Sequence, residues 1–76
     1  MWAKPEPIEI VEYAELRMKR RDILLEEVEE TLNCPCNHEL RRDGLWEVKH
    51  PLAGKVLLVV YRRGTNARYV LNTMWE

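Results

Sequence analysis

The sequence predicts an α+β fold in which two N-terminal helices pack on one face of an antiparallel sheet of about four strands. Three observations predict it. Apolar residues recur with helical spacing in the first half of the chain, the spacing changes to that of strands in the second half, and an Asp-Gly pair separates two strand-like segments. With 76 residues and 46% hydrophobic content, the chain has one modest core and forms a single domain.

The first half of the chain predicts two helices after a tether. Prolines make residues 1–7 the tether, with a short extended piece at residues 8–10. The first helix covers residues 10–21, because at about 100° per residue its apolar side chains form one stripe. The second covers residues 25–33, where Leu25, Val28 and Leu32 share a face. Early glutamates suit the positive helix N-terminus, and Asn33 and Pro35 end the helix.

The second half predicts strands. Residues 37–42 and 45–50 read as a hairpin joined by a two-residue Asp43-Gly44 turn. The apolar run at residues 56–60 predicts a central strand buried on both faces. The remaining segments are a loop at 51–54, a turn at 63–66 and a last strand at 68–75.

Composition narrows the function classes. The net charge of −1 argues against a strong nucleic-acid binder, yet residues 41–76 hold seven Lys/Arg against three Asp/Glu, while residues 1–40 hold five against ten. Such asymmetry indicates an acidic and a basic face, although a solvated surface of mixed charge also fits. The chain lacks an apolar run that could cross a bilayer and its first residues lack a signal peptide's apolar segment, so we expect a cytoplasmic protein with no membrane partner.

A row of polar side chains borders the apolar stripe of the first helix. Tyr13, Arg17 and Arg21 follow one another at spacings of four, so they line one edge of the stripe. Cations at the rim of a buried face either extend toward water along the apolar surface or point at an anion. Whether these arginines contact water or bind an anion is therefore the main functional question that the sequence raises.

The segment around these residues resembles a known family. Tyr13-Ala14-Glu15-Leu16-Arg17-Met18-Lys19-Arg20-Arg21-Asp22-Ile23, followed by Val28 and a Cys-Pro pair, is similar to the His-Ala-x-x-Arg-Met-x-x-Arg-Gly-Ile pattern of a small uncharacterised family. That family is grouped with RelE-like toxins in the barnase–EndoU–colicin–RelE superfamily. Thr73-Met74-Trp75 matches its closing strand. The resemblance covers residues 8–76, with Tyr13 in place of the family's histidine and Asp22 in place of its glycine.

The resemblance implies a RelE-like fold and a metal-independent ribonuclease, or a relative of one, with no cofactor. Such cleavage needs a base for the ribose 2′-hydroxyl, an acid for the leaving oxygen and cations for the phosphate. Arg17 and Arg21 suit the cationic role, with Thr73 on the closing strand. Tyr13 is a poor base because free tyrosine has a pKa of about 10. His50 is a further acid or base candidate from outside the pattern, and Lys49 and Arg62, at strand ends, are candidate RNA contacts.

Each candidate also has a structural interpretation. Tyr13 fits a half-buried aromatic, and the arginines fit surface ion pairs worth under about 1 kcal/mol each. A zinc site would have suitable ligands in Cys34, Cys36, His38 and His50, but the Cys-x-Cys spacing is unusual for such a site. This spacing favours the interpretation that the two cysteines are small buried residues that close the second helix. The rings of Trp2, Trp46, Trp75, Tyr61 and Tyr69 fit either base stacking or, in a chain without phenylalanine, core packing.

Two functions of different class therefore remain. The first is a toxin-like RNA-binding or RNA-cleaving domain, held inactive by an antitoxin protein. The second is a non-catalytic domain that keeps the fold and binds a protein or RNA through its basic face or a strand edge. Tyr13 favours the second, and the arginine row is compatible with both.

Overall fold

The computed structural model describes residues 6–76, and within them two helices cover one face of a five-stranded mixed sheet. The strand order is β1-β5-β4-β3-β2, with β1 parallel to β5 and all other neighbours antiparallel. The α+β class is thus confirmed, but the sheet has five strands rather than about four. The elements in chain order are β1 Ile8–Ile10, α1 Glu12–Arg20, α2 Leu25–Asn33, β2 Asn37–Leu40, β3 Trp46–Leu52, β4 Lys55–Arg63 and β5 Arg68–Trp75.

The additional strand is the short extended piece before α1. Ile8 and Ile10 turn toward the core while Glu9 is exposed, which is the period-two pattern of a strand with one covered face. Its pairing with β5 includes Ile10, the residue at which the sequence analysis began the first helix. That helix therefore begins at Glu12, after the extended residue Val11.

The two helices pack on different strands of the same sheet face. Helix α1 lies against β5, and α2 lies against β3 and β4. Ala14 in α1 and Val28 in α2 are both fully buried. Leu25, predicted on the buried face of α2, is instead exposed because it begins the helix at the edge of the core. The buried hydrophobic cluster comprises Ala14, Met18, Ile23, Val28, Leu32, Val48, Leu57, Val59, Tyr61 and Val70.

Strand β4 is central, as its apolar run predicts. Leu57 and Val59 are fully buried beneath the helices, whereas Val56 and Leu58 on the opposite face are only partly covered. The expectation of burial on both faces is therefore wrong for Val56 and Leu58, whereas Val60 is buried. The reason is architectural, since both helices lie on one side and the other side keeps its exposure.

The sequence predicts a two-residue turn at Asp43-Gly44 and a longer loop at 51–54, and the structure has the longer connection first and the two-residue turn second. Asp43-Gly44 closes a longer connection between Leu40 and Trp46, in which Gly44 has a φ of 86°. The tight two-residue turn is Ala53-Gly54, with positive φ at both residues, while the rest of the expected loop at 51–54 belongs to β3. Ala53 adopts a φ of 48° because the short connection leaves no alternative for right-handed twisted strands.

Residues 6 and 7, the described end of the predicted tether, are held against the sheet. The carbonyl of Pro7 accepts a hydrogen bond from the Arg68 backbone, and that of Glu6 accepts one from the Arg68 side chain. Trp2, a candidate surface aromatic, lies outside the described residues. Neither nine-residue helix in the described part of the chain has the length and apolar character to cross a membrane.

Candidate nucleic-acid interface

Tyr13 and Arg17 form a pair on the outer surface of α1. Arg17 Nε donates a hydrogen bond of 2.6 Å to the Tyr13 hydroxyl, and the guanidinium carbon lies 4.9 Å from the tyrosine ring centroid. The spacing of four residues places one side chain above the other on the helix. Together with Leu16 and Arg20 they line a small cleft of about 170 Å³.

Arg21 turns away from this pair and joins α1 to β5. Its Nη1 donates to the backbone carbonyl of Thr73 at 2.5 Å, and Trp75 Nε1 donates to the Arg21 carbonyl at 2.9 Å. The Thr73 side chain is fully buried, and its hydroxyl has no hydrogen-bond partner among residues 6–76. The predicted Arg21–Thr73 neighbourhood therefore exists, but as a backbone link that closes the core.

His50 lies where α2 ends against β3. Its Nδ1 donates to the carbonyl of Cys34 at 2.8 Å, and its Nε2 is 2.7 Å from the Glu30 carboxylate. Both ring nitrogens are thus engaged with the helix C-terminal region. His50 therefore lies at α2, apart from Tyr13 and Arg17 on α1, so the structure does not bring these three predicted site residues together.

Lys49 and Arg62 lie on the sheet face that the helices leave uncovered. Their strand neighbours Val48 and Tyr61 point into the core, so alternation directs Lys49 and Arg62 to the other side. Lys49 Nζ is 2.8 Å from the Glu76 carboxylate, and this hydrogen bond raises the pKa of the lysine. The structure therefore does not join these two cations to Arg17 and Arg21 in one surface.

Arg62 belongs to a cleft at the turn between β4 and β5. The guanidinium carbon of Arg62 lies 4.8 Å from the centroid of the Tyr69 ring. Gly64 permits this arrangement, because any Cβ at that position would collide with the Tyr69 ring. The cleft is open, has a volume of about 520 Å³, and is lined by Arg62, Arg63, Gly64, Thr65, Asn66 and Tyr69.

The cations of this cleft have no ion-pair partner in the part of the chain that the structure describes. Within residues 6–76, neither Arg62 nor Arg63 forms an ion pair with a carboxylate. Arg41, by comparison, contacts both Asp43 and Glu47. The two guanidinium groups therefore retain donors for an external anion.

A second aromatic group adjoins the cleft on the helix-covered face. The His38 ring centroid lies 4.5 Å from that of Trp46, and His38 Nε2 is 2.9 Å from the hydroxyl of Tyr61. The Arg63 guanidinium carbon lies 5.7 Å from the Trp46 ring centroid. Partial burial, and then the charge of Arg63, lower the pKa of His38 below its ordinary value of 6.5. We call His38, Trp46, Tyr61 and Arg63 the histidine cluster.

Sequence reasoning did not predict the histidine cluster, since it grouped His38 with the cysteines as a metal candidate. The available signal was strand periodicity, which puts Trp46 and Tyr61 on one face once β3 and β4 are paired in register. Trp46, Trp75 and Tyr61 pack with the core, and Tyr69 lies on the opposite face.

The expectation of buried cysteines is wrong. Cys34 and Cys36 are both exposed free thiols, because α2 ends at Asn33 and the connection to β2 runs over the surface. Residues 6–76 contain no group of three or more His, Cys, Asp or Glu side chains arranged to hold a metal ion.

Comparisons with protein-family models, with curated proteins and with solved structures each found no match.

Proposed function

We propose that this domain binds single-stranded RNA at the cleft between β4 and β5. The observation that carries the proposal is the pair of adjacent arginines, Arg62 and Arg63, which form no ion pair with a carboxylate in the described residues and line a cleft together with Tyr69. Phosphate contacts supply most of the affinity of nucleic-acid binders, and guanidinium groups bind phosphate oxygens through paired donors.

The chemistry of the remaining lining residues suits a polynucleotide. Stacking of the Arg62 guanidinium on Tyr69 holds the cation in place while leaving its edge donors accessible. Thr65 and Asn66 add hydroxyl and amide groups that can hydrogen-bond ribose or base edges. The cleft is open, as a surface that receives an extended strand requires.

This proposal shifts the RNA site away from the residues of the family resemblance. Tyr13, Arg17, Arg21 and Thr73 do not converge on one accessible point, since Arg21 and Thr73 take part in the α1–β5 link. A RelE-like, toxin-like role remains part of the proposal, but its RNA contacts are assigned to the sheet rather than to α1.

The test measures the affinity of a fluorescently labelled single-stranded RNA by anisotropy at several salt concentrations. Neutralising both cations, with Arg62→Gln and Arg63→Gln together, should weaken binding at least tenfold. If each arginine contacts one phosphate, the slope of log affinity against log salt should fall by about 1.4, since a single-strand contact contributes about 0.7.

A matched double variant controls for net charge. Lys19→Gln with Lys55→Gln removes the same charge from α1 and from the far end of β4, and should leave the affinity within about twofold. Equal losses in the two double variants would show general charge attraction and would contradict a site at the cleft.

A second candidate function is protein binding on α1, which one specific observation favours. Tyr13 and Leu16 are 55% and 53% exposed, side by side with Arg17 and Arg20. An exposed apolar pair bordered by cations fits an acidic, amphipathic segment of a partner such as an antitoxin. Leu16→Glu should abolish binding to a partner encoded by an adjacent gene, if one exists, and should leave RNA affinity unchanged.

A further inference from the structure

The outer edge of strand β2 is open in the part of the chain that the structure describes. β2 ends the strand order, so within residues 6–76 it pairs only with β3. All four of its residues are exposed. An edge strand presents unpaired N–H and C=O groups, and natural proteins often protect such an edge with lysine or proline. β2 contains neither, so its edge can accept another strand.

The backbone groups of two residues point outward from this edge. The Arg41 N–H donates to the Leu45 carbonyl at 2.7 Å, which continues the pairing of β2 with β3 by one residue. Hydrogen bonding alternates along an antiparallel pair, so Glu39 bonds to β3 as Arg41 does. The N–H and C=O groups of His38 and Leu40 therefore face away from β3, toward an incoming strand.

Two side chains of β2 indicate what such a strand should bring. Leu40 is 60% exposed, more than any other large hydrophobic side chain among residues 6–76. Glu39 lies directly opposite Glu47 on β3, and like charges in that position are destabilising. Glu39 forms no ion pair within residues 6–76. An occupant of this edge should therefore cover Leu40 with an apolar group and place a cation beside Glu39.

We propose that the occupant is β2 of a second copy of this chain, paired antiparallel about a two-fold axis at Leu40. Leu40 then lies opposite Leu40 of the second copy, and Glu39 lies opposite its Arg41. Within one chain Arg41 is 3.5 Å from the Glu47 carboxylate, which places its guanidinium on the sheet face that Glu39 and Glu47 share. A guanidinium has five N–H donors, so Arg41 can bind Glu39 of the second copy and keep its own partners.

Charge selects this register among the ones that hydrogen bonding allows. Because His38 and Leu40 carry the outward groups, the two-fold axis lies at residue 38, 39 or 40. An axis at Glu39 places two glutamates opposite each other, and an axis at His38 places Glu39 opposite Asn37, without a cation. The axis at Leu40 alone pairs opposite charges, and symmetry forms the Glu39–Arg41 pair twice.

This inference goes beyond the RNA proposal and does not rest on it, since none of these contacts uses Arg62, Arg63 or Tyr69. The two five-stranded sheets would join edge to edge into one continuous sheet. An edge of four residues is a small interface, so the dimer is weak and forms as the protein concentration rises.

Sedimentation velocity of the full chain, from about 10 µM to about 1 mM, measures the dimer in the range where a small interface dissociates. We expect the dimer fraction to rise across this range. Amide hydrogen exchange by NMR locates the contact. Exchange at His38 and Leu40 should slow as the concentration rises, whereas exchange at Glu39, whose N–H already bonds to β3, should change little.

Leu40→Glu tests the centre of the interface and should raise the dissociation constant of the dimer at least tenfold. The matched control is Leu24→Glu, at a leucine that is 59% exposed on the connection between α1 and α2. This control should change the dissociation constant less than twofold. Equal effects of the two substitutions would show association through general hydrophobicity and would overturn the inference.

Glu39→Arg separates the interface from the fold. It places a cation opposite Glu47 within the chain, so the monomer should be at least as stable to urea as the wild type. It also places two arginines opposite each other across the two-fold axis, so the dissociation constant should rise at least tenfold. A wild-type chain that stays monomeric to about 1 mM, or a dimer that Glu39→Arg leaves unchanged, overturns the inference. The first result would leave this edge to an extended segment of a different protein.

Discussion

Asp22 occupies a backbone position that suits glycine. Its φ is 53°, directly after the last turn of α1, and the Ile23 N–H bonds to the Met18 carbonyl at 2.9 Å. This bond is the six-to-one link of a Schellman motif, in which the residue before the donor is left-handed and usually glycine. A residue with a Cβ therefore has a local conformational cost at this position.

We therefore expect Asp22→Gly to stabilise the protein by roughly 0.5–1 kcal/mol, through relief of left-handed strain and removal of a negative charge near a helix C-terminus. Urea denaturation measures the change. Asp22→Asn removes the charge alone and should give a smaller gain, and Asp22→Ala should give none or a loss. A gain from Ala equal to that from Gly would contradict the backbone explanation.

At the level of elements, the C-terminus of α2 depends on a side chain from β5. The last turn of this helix contains no basic residue. Arg68 on β5, which is 8% exposed, supplies a positive charge at this helix end instead. Its guanidinium donates to the Leu32 carbonyl at 3.3 Å and to the Asn33 side chain at 3.0 Å. A third bond, of 2.9 Å, runs to the Glu6 carbonyl, so one arginine joins α2, β5 and the N-terminal segment.

Replacing this arginine should destabilise the fold. We expect Arg68→Met to lower the free energy of unfolding by about 2–3 kcal/mol, because buried carbonyl groups lose charged donors. Arg68→Lys should lose less, since one ammonium reaches fewer of the three acceptors. Denaturant titration measures both. An unchanged or raised stability for Arg68→Met would mean that desolvation of the guanidinium cancels its hydrogen bonds.

The same elements show what a sequence can and cannot predict. The bounds of α2 were predicted correctly because Val28, Leu32 and the helix-ending Asn33 act locally. The extended piece at residues 8–10 was predicted, but its pairing with β5 was not, because three residues do not indicate which strand they join. The residues of the candidate site show the same contrast between local sequence signals and strand pairing. Arg62 was identified from the chain, but the contact of His38 with Tyr61 depends on pairing across β2, β3 and β4.

For the molecule as a whole, charge is divided along the chain and in space. The exposed face of α2 carries Glu26, Glu29 and Glu30, while the β4–β5 turn carries Arg62 and Arg63 without acidic partners among residues 6–76. The net charge of −1 conceals this separation. A weakly acidic chain thus presents a local basic surface, which total charge alone would have excluded.

His38 links that basic surface to the pH dependence of global stability. Its folded pKa lies below 6.5 because partial burial and then Arg63 disfavour the imidazolium, while Tyr61 provides the hydrogen bond. Between the folded pKa and 6.5 the unfolded chain binds more protons, so stability rises with pH in that window. The His38 contribution is complete above pH 6.5 and is lost as the pH falls toward the folded pKa.

Denaturant unfolding from pH 5 to 7.5 should therefore show a steeper decline on acidification for the wild type than for His38→Gln. NMR titration should give a His38 pKa below 6.5 that rises in Arg63→Gln, and an unshifted pKa with parallel stability curves for the two proteins would contradict this account.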